Sequence, residues 1–216
     1  MQNFKTRFLL KRINTRNQNI NMKSKLLTVV ILLLSIASFA QNQDKEHLVF
    51  KGVPIDGTLN DYVLKMKQNG FNHIGTEDGT AILKGDFAGY KDCTIGVSTL
   101  KQKDLVHKIA VIFPKKETWS TLFGNYSDLK GMLKEKYGEP FEVVEKFDSY
   151  SQPRDDRNKM YEVSMDRCKY YSIWQTDKGN IELAISHDSL SSSFIRLGYF
   201  DKANGNIVRE KAKDDL

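Results

Sequence analysis

Apolar residues recur along this chain at two different periods. Leu59, Tyr62, Val63 and Met66 fall at i, i+3, i+4 and i+7, the single face of a helix. Thr58 precedes this face as a cap, with Asp61 in place of the usual capping-box glutamate, and Asn69-Gly70 ends it. A second helix is predicted from Glu117 to Tyr137. There Trp119, Leu122, Phe123, Tyr126, Leu129, Leu133 and Tyr137 make one stripe, and Gly138-Glu139-Pro140 stops it because proline has no N–H for the ladder. Gly124 and Gly131 within that stripe suggest a bend or a close contact.

Elsewhere the period is two. A short strand is expected at Ala81–Leu83. Cys93, Ile95 and Val97 alternate with Thr94, Gly96 and Ser98, and Ile109, Val111 and Phe113 alternate in the next strand. Beyond the second helix, strands are predicted at Phe141–Phe147, Met160–Met165, Cys168–Thr176, Ile181–His187 and Phe194–Phe200. Asp177-Lys178-Gly179-Asn180 is a hairpin turn between two of them. Residues 148–159 remain as a long loop, a length typical of functional or mobile segments. Neither a one-sided helix nor a half-apolar sheet can bury its apolar side alone. The expected fold class is therefore α+β, an antiparallel sheet with two helices packed on one face.

The same order suggests two half-repeats, 48–114 and 115–200. Each reads as a helix, a strand carrying a cysteine, a polar hairpin and an apolar alternating strand. Lys101-Gln102-Lys103-Asp104 and Asp177-Lys178-Gly179-Asn180 are the two hairpins, which sets Cys93 and Cys168 at equivalent places.

One apolar run fits neither period. Leu26–Ala40 (LLTVVILLLSIASFA) follows Met22, Lys23 and Lys25, and the polar QNQDKE follows it directly. A short basic region, a core of about 7–15 apolar residues and small residues at the end are the marks of a signal peptide. Ser38 and Ala40 supply the small side chains, so cleavage is expected after Ala40. A membrane anchor would use about 20 apolar residues. Residues 1–21 are read either as the product of an upstream start, with Met22 the true one, or as a long basic region. Residues 41–216 are the expected single mature domain, and its first cysteine is Cys93, so no lipid-modified cysteine stands at the new N-terminus. No later run is long enough to span a bilayer. The expected localisation is periplasmic or secreted, without membrane insertion after cleavage.

Removing the leader changes the charge picture. Of 33 lysines and arginines, seven lie in residues 1–40, which hold no acid, leaving 26 basic against 27 acidic residues. The basic character belongs to the leader, and nucleic-acid binding has no support in a nearly neutral domain. Residues 41–47 and 211–216 read as solvated ends.

Val49-Phe50-Lys51-Gly52-Val53-Pro54-Ile55-Asp56-Gly57, with Asn69-Gly70-Phe71 after the first helix, resembles an uncharacterised secreted or periplasmic α+β family of gut-type Gram-negative bacteria. That likeness implies no activity. The duplicated layout and Tyr137-Gly138-Glu139-Pro140 are similar to β-lactamase-inhibitor-like envelope proteins. This second likeness implies protein binding at the cell envelope and assigns no residues.

Candidate chemistry is sparse. Cys93 and Cys168 share the apolar phase of their strands in an oxidising destination, so a disulfide between them is expected, against the alternative of two buried thiols. Neither has a CxxC partner or a neighbouring histidine. His47, His73, His107 and His187 form no HExxH or Cys–His cluster, so no metal or other cofactor is expected. His107 and His187 read as strand-end histidines, with a functional pair as the alternative. Glu77-Asp78-Gly79-Thr80 and Asp155-Asp156 read as turn and loop chemistry, lacking calcium-ligand spacing. The sequon at Asn125 falls inside a helix. Tyr161, Tyr170, Tyr171 and Trp174 enrich the second half in aromatics. Tyr171, on the opposite phase to Tyr170 and Trp174, is the best single candidate for a contact residue.

No nucleophile elbow, P-loop or dinucleotide fingerprint is present. The expectation is a non-catalytic envelope or secreted module that binds a protein or a glycan. The alternative is a periplasmic hydrolase or small-ligand protein with a pocket between helices and sheet. Oligomeric state is left open.

Overall fold

A hairpin opens the fold. Val49–Phe50 (β1) and Val53–Pro54 (β2) pair across Lys51-Gly52, both with positive φ, the backbone of a type I′ turn. Helix α1 (Leu59–Gln68) follows, and then four strands: β3 (Asn72–Glu77), β4 (Thr80–Phe87), β5 (Tyr90–Leu100) and β6 (Lys103–Ile112). Next come α2 (Trp119–Tyr137), β7 (Glu142–Phe147) and α3 (Asp156–Ser164). The chain then runs through β8 (Cys168–Thr176), β9 (Gly179–Ser189), β10 (Ser192–Asp201) and α4 (Lys202–Asp214). The computed structural model describes residues 46–100, 103–150, 152–189 and 192–214; the expected leader and its cleavage site lie outside these residues. No helix among the described residues is long and apolar enough to cross a membrane.

The α+β class holds. Eight antiparallel strands form one sheet in the order β3-β4-β5-β6-β10-β9-β8-β7. Strand alternation assigns its faces. Leu83, Ile95, Val111, Leu197 and Leu183 stand directly opposite one another in successive ladders, and all are buried. Tyr62 and Met66 of α1 and Leu122, Tyr126 and Leu129 of α2 join the same core cluster, so both helices cover this face. Tyr126 Oη and Ser172 Oγ, both buried, satisfy each other at 2.9 Å. Trp174 Nε1 donates to Gly138 O at 2.9 Å, closing the end of α2 onto β8.

The helix starts are built as their residues suggest. Thr58 Oγ1 accepts from Asp61 N, and Asp104 Oδ1 adds a second acceptor for Leu59 N at 2.9 Å. Asp155 caps α3, while Asp156 reaches across to Ser120 at the start of α2. Gly124 and Gly131 neither break α2 nor mark close packing, because a Cβ at either would meet open space.

Each half is a helix followed by four sequentially paired strands, with α3 inserted between β7 and β8 in the second, and the halves join through their last strands, β6 and β10. This is the order that a twofold about the β6–β10 pair would generate. It also moves the correspondence expected from sequence by one strand. β3 was not predicted because its residues are mostly exposed and carry no apolar alternation. Once β3 is counted, Cys93 lies on the third strand of its half and Cys168 on the second of its own, so the two are not equivalent.

The expected disulfide is therefore corrected: both cysteines are free. β5 and β8 are four steps apart in the sheet. At about 4.8 Å per step that is roughly 19 Å, far beyond the ~7 Å between Cα atoms that a bridge tolerates.

Three further expectations change. Residues 160–165 are not a strand, since they belong to α3 and the short turn after it. With only Met160 and Val163 as inward anchors, three apart, the segment was too short for its period to be read, and Asp155 decides for helix by capping it. Helix α4 was missed because Asn204-Gly205-Asn206 reads as a turn and Ala203, Ile207, Val208 and Ala212 are too sparse to set a period. His47 is no part of a solvated end. It is buried, with Nδ1 3.0 Å from Asp201 Oδ2.

Candidate functional site

The sheet's other face belongs to the opposite phase of the same strands. In the second half, Ile173 stands opposite Glu182, and Ala184 lies between Tyr171 on β8 and Arg196 on β10. These five side chains share one patch. Tyr171 and Ile173 are half-exposed, as are Glu182 and Arg196, whereas Ala184 is buried among them. Aromatics on both phases of β8 thus have different fates: Trp174 is in the core, Tyr170 packs against it, and Tyr171 is on this outer face.

Beside this patch the sheet comes apart. The β8–β9 ladder runs from Thr176↔Gly179 to Tyr171↔Ala184 and stops there. From that point β8 stays with β7, through Glu145↔Tyr170 and Phe147↔Cys168, while β9 stays with β10, through Ile185↔Ile195 and His187↔Ser193. The separation opens a recess of about 400 Å³. Its walls include the consecutive residues Cys168 to Tyr171 on one strand and Ala184 to His187 on the other. Side chains alternate faces along a strand, so consecutive wall residues mean that the strand edges themselves line the opening. Val163 and Asp166, from α3 and the turn after it, close one side.

Paired polar side chains rim this recess. Asp166, at φ 58° in the turn after α3, holds His187 Nε2 at 2.9 Å. Arg196 donates to Glu182 across the β9–β10 ladder. Tyr171 Oη donates to Glu142 Oε1 at 2.8 Å, which fixes the ring. That bond, with the Glu142 and Glu182 carboxylates nearby, raises the Tyr171 phenol above its ordinary value. Cys168 also reaches the recess, but burial pushes its thiol up to about 12, so it stays protonated and is a poor nucleophile.

The other sequence candidates do not converge on this site. His107 lies on β6 near the Phe200 end of β10, with Nδ1 donating to Ser98 O at 3.0 Å. His187 lies opposite Ser193, at the other end of β10. At about 3.4 Å per residue the two are roughly 25 Å apart along the sheet, and no functional pair exists. Cys93 is buried on the core face of β5. Glu77–Thr80 is the β3–β4 turn, with Asp78 and Gly79 at positive φ. The loop ahead of α3 is tied down: Gln152 Nε2 donates to Phe147 O at 3.0 Å, and Ser149 Oγ to Glu162.

Comparisons with family models, with curated proteins and with solved structures found no match.

Two other clusters are accounted for by the fold. A larger recess of about 670 Å³ lies at the start of α1, lined by Leu59, Asp78, Thr99 and Asp104 among others. Its polar groups serve the turns: Thr99 N and Oγ1 both bond Gly79 O, and Asp104 caps α1. The buried set of His47, Asp201 and Asn204 ties the segment from His47 to Asp56 to β10 and α4. Asp201 Oδ1 accepts from Leu48 N at 2.8 Å, and Asn204 Nδ2 donates to Ile55 O, Val106 O and Asp56 Oδ1. Among the described residues, no group of three or more His, Cys, Asp or Glu is placed to hold a metal ion.

The sequence places Tyr171 on this face and singles out His187 with a different partner; it does not point to Glu182, Arg196 or Asp166. The phase of β8 pointed to Tyr171. Nothing local points to the others, because the site depends on where one ladder stops.

Proposed function

We propose that this is an exported, non-catalytic binding module of the cell envelope. Its contact surface is the outer face of β8, β9 and β10 around Tyr171, and its ligand is a protein or a glycan. The observation that carries this reading is the patch itself, a held aromatic ring and an aliphatic side chain half-exposed beside a recess rimmed by paired polar side chains. Interfaces favour that mixture, in which rigid aromatic anchors sit next to oriented polar groups. Export rests on the pattern of residues 22–40. The alternative of a hydrolase or small-ligand protein with a helix–sheet pocket finds no support at that interface, which Tyr62, Met66, Leu122 and Tyr126 fill.

The test is retention from envelope extract on immobilised protein, comparing residues 41–216 with Ile173→Asp and Tyr171→Ala. A partner retained by the parent and lost by both variants supports the reading. A partner retained equally by all three would move the contact surface elsewhere, and repeated failure to retain anything would count against a binding role.

A further inference from the structure

We propose that the recess between β8 and β9 is a saccharide-binding site for a neutral oligosaccharide. The inference rests on the binding reading above and names its ligand class. Sugars present two kinds of surface, C–H faces that pack on flat side chains and hydroxyls that both donate and accept. The recess offers both. Tyr171 is a flat platform whose orientation is set by its bond to Glu142, and Ile173 extends the apolar strip beside it.

The polar groups are suited to hydroxyls in a specific way. Arg196 and Glu182 are bound to each other, and so are His187 and Asp166. Mutual pairing fixes the planes of these side chains before any ligand arrives, which lowers the ordering cost of binding. It also leaves capacity for a hydroxyl: a guanidinium has five N–H donors, and a carboxylate has about four acceptor positions. One hydroxyl can then accept from Arg196 and donate to Glu182 together. Around the recess Arg196 and Lys169 stand among Glu182, Glu142 and Asp166, so neither sign of charge dominates and a charged ligand gains little. The volume, about 400 Å³, suits one or two sugar rings and leaves a longer chain to run out over the open sheet face.

The test is affinity electrophoresis and ligand-observed NMR of residues 41–216 with maltotriose, cellotriose, xylotriose and chitotriose at millimolar concentration. At least one should bind. Tyr171→Ala and Arg196→Ala should each weaken it by about tenfold or more, while Tyr171→Phe, which keeps the ring and loses only the bond to Glu142 that orients it, should weaken it less than Tyr171→Ala does. Tyr150→Ala, at a fully exposed tyrosine away from the recess, should bind as the parent does. Circular dichroism and thermal melts establish that each variant is folded. Should Tyr171→Ala fail to fold, Glu182→Gln replaces it, with the same expected loss.

Binding that survives Tyr171→Ala and Arg196→Ala in folded protein would overturn this site. So would no binding to any of the four sugars. If a protein partner is retained through Tyr171 and Ile173 while no sugar binds, the saccharide inference fails and the binding-module reading stands.

Discussion

The two cysteines illustrate how much a single residue's meaning depends on its neighbours. Both are free, and burial pushes their thiols up, to about 11 for Cys93 and about 12 for Cys168. We expect almost no reaction of the native protein with a thiol reagent near neutral pH, and two reactive thiols per chain once it is denatured without reductant. Two thiols appearing only after reduction would restore the bridge. The melting temperature should likewise be the same with and without reductant.

His107 carries the pH dependence argued from a single group. Burial lowers its imidazole below the ordinary value, and Lys108 acts in the same direction. The bond to Ser98 O and the charge of Asp201 oppose this without overcoming it. The unfolded chain therefore takes up a proton at a higher pH than the fold does. The contribution is fully present above about pH 6.5 and is lost as pH falls through the lower folded value. Urea midpoints should fall further for the parent than for His107→Gln between about pH 7.5 and about pH 5; equal falls would remove His107 from the account.

Among elements, the ends of the chain's fold depend most on one buried polar set. Asn204 sits in the first turn of α4, almost wholly buried, and serves carbonyls from the residue before Asp56 and from β6. Replacing it by alanine strands those acceptors, at a cost of about 2–3 kcal/mol. The expected readouts for Asn204→Ala are a lower urea midpoint and faster hydrogen exchange at Leu48 N, which Asp201 holds. An unchanged exchange rate would mean that Asp201 holds the β1 segment without help from α4. Neither half of this set was legible in sequence. His47 stood in a polar stretch that reads as a loose end, and Asn204 stood beside a glycine that reads as a turn.

The strands divide the same way. β5 and β6 were legible because their alternation matches a sheet buried on one face, and β10 because it is an apolar run buried on nearly both. β3 was not, since an exposed edge strand imposes no such pattern.

For the whole molecule, the joining of β6 to β10 makes one core from two halves. Both tryptophans, Trp119 and Trp174, lie in the second half, whereas Ile95 lies in the first and faces Val111 on β6. Ile95→Ala should cost about 2–5 kcal/mol. Tryptophan fluorescence and far-UV circular dichroism should shift to lower denaturant together. A fluorescence transition that stays in place would mean that the halves unfold independently.

The chain's own pattern was enough to establish the α+β class, helices α1 and α2 and most of the central strands. Each of these follows from local periodicity or composition, which the sequence carries directly. Only the tertiary structure decided which strands are neighbours. That decision separated Cys93 from Cys168, placed His107 and His187 at opposite ends of the sheet, and ended the β8–β9 ladder beside Tyr171. The reason is that alternation says which face a residue occupies but nothing about strand order, and a site between strands is made by strand order.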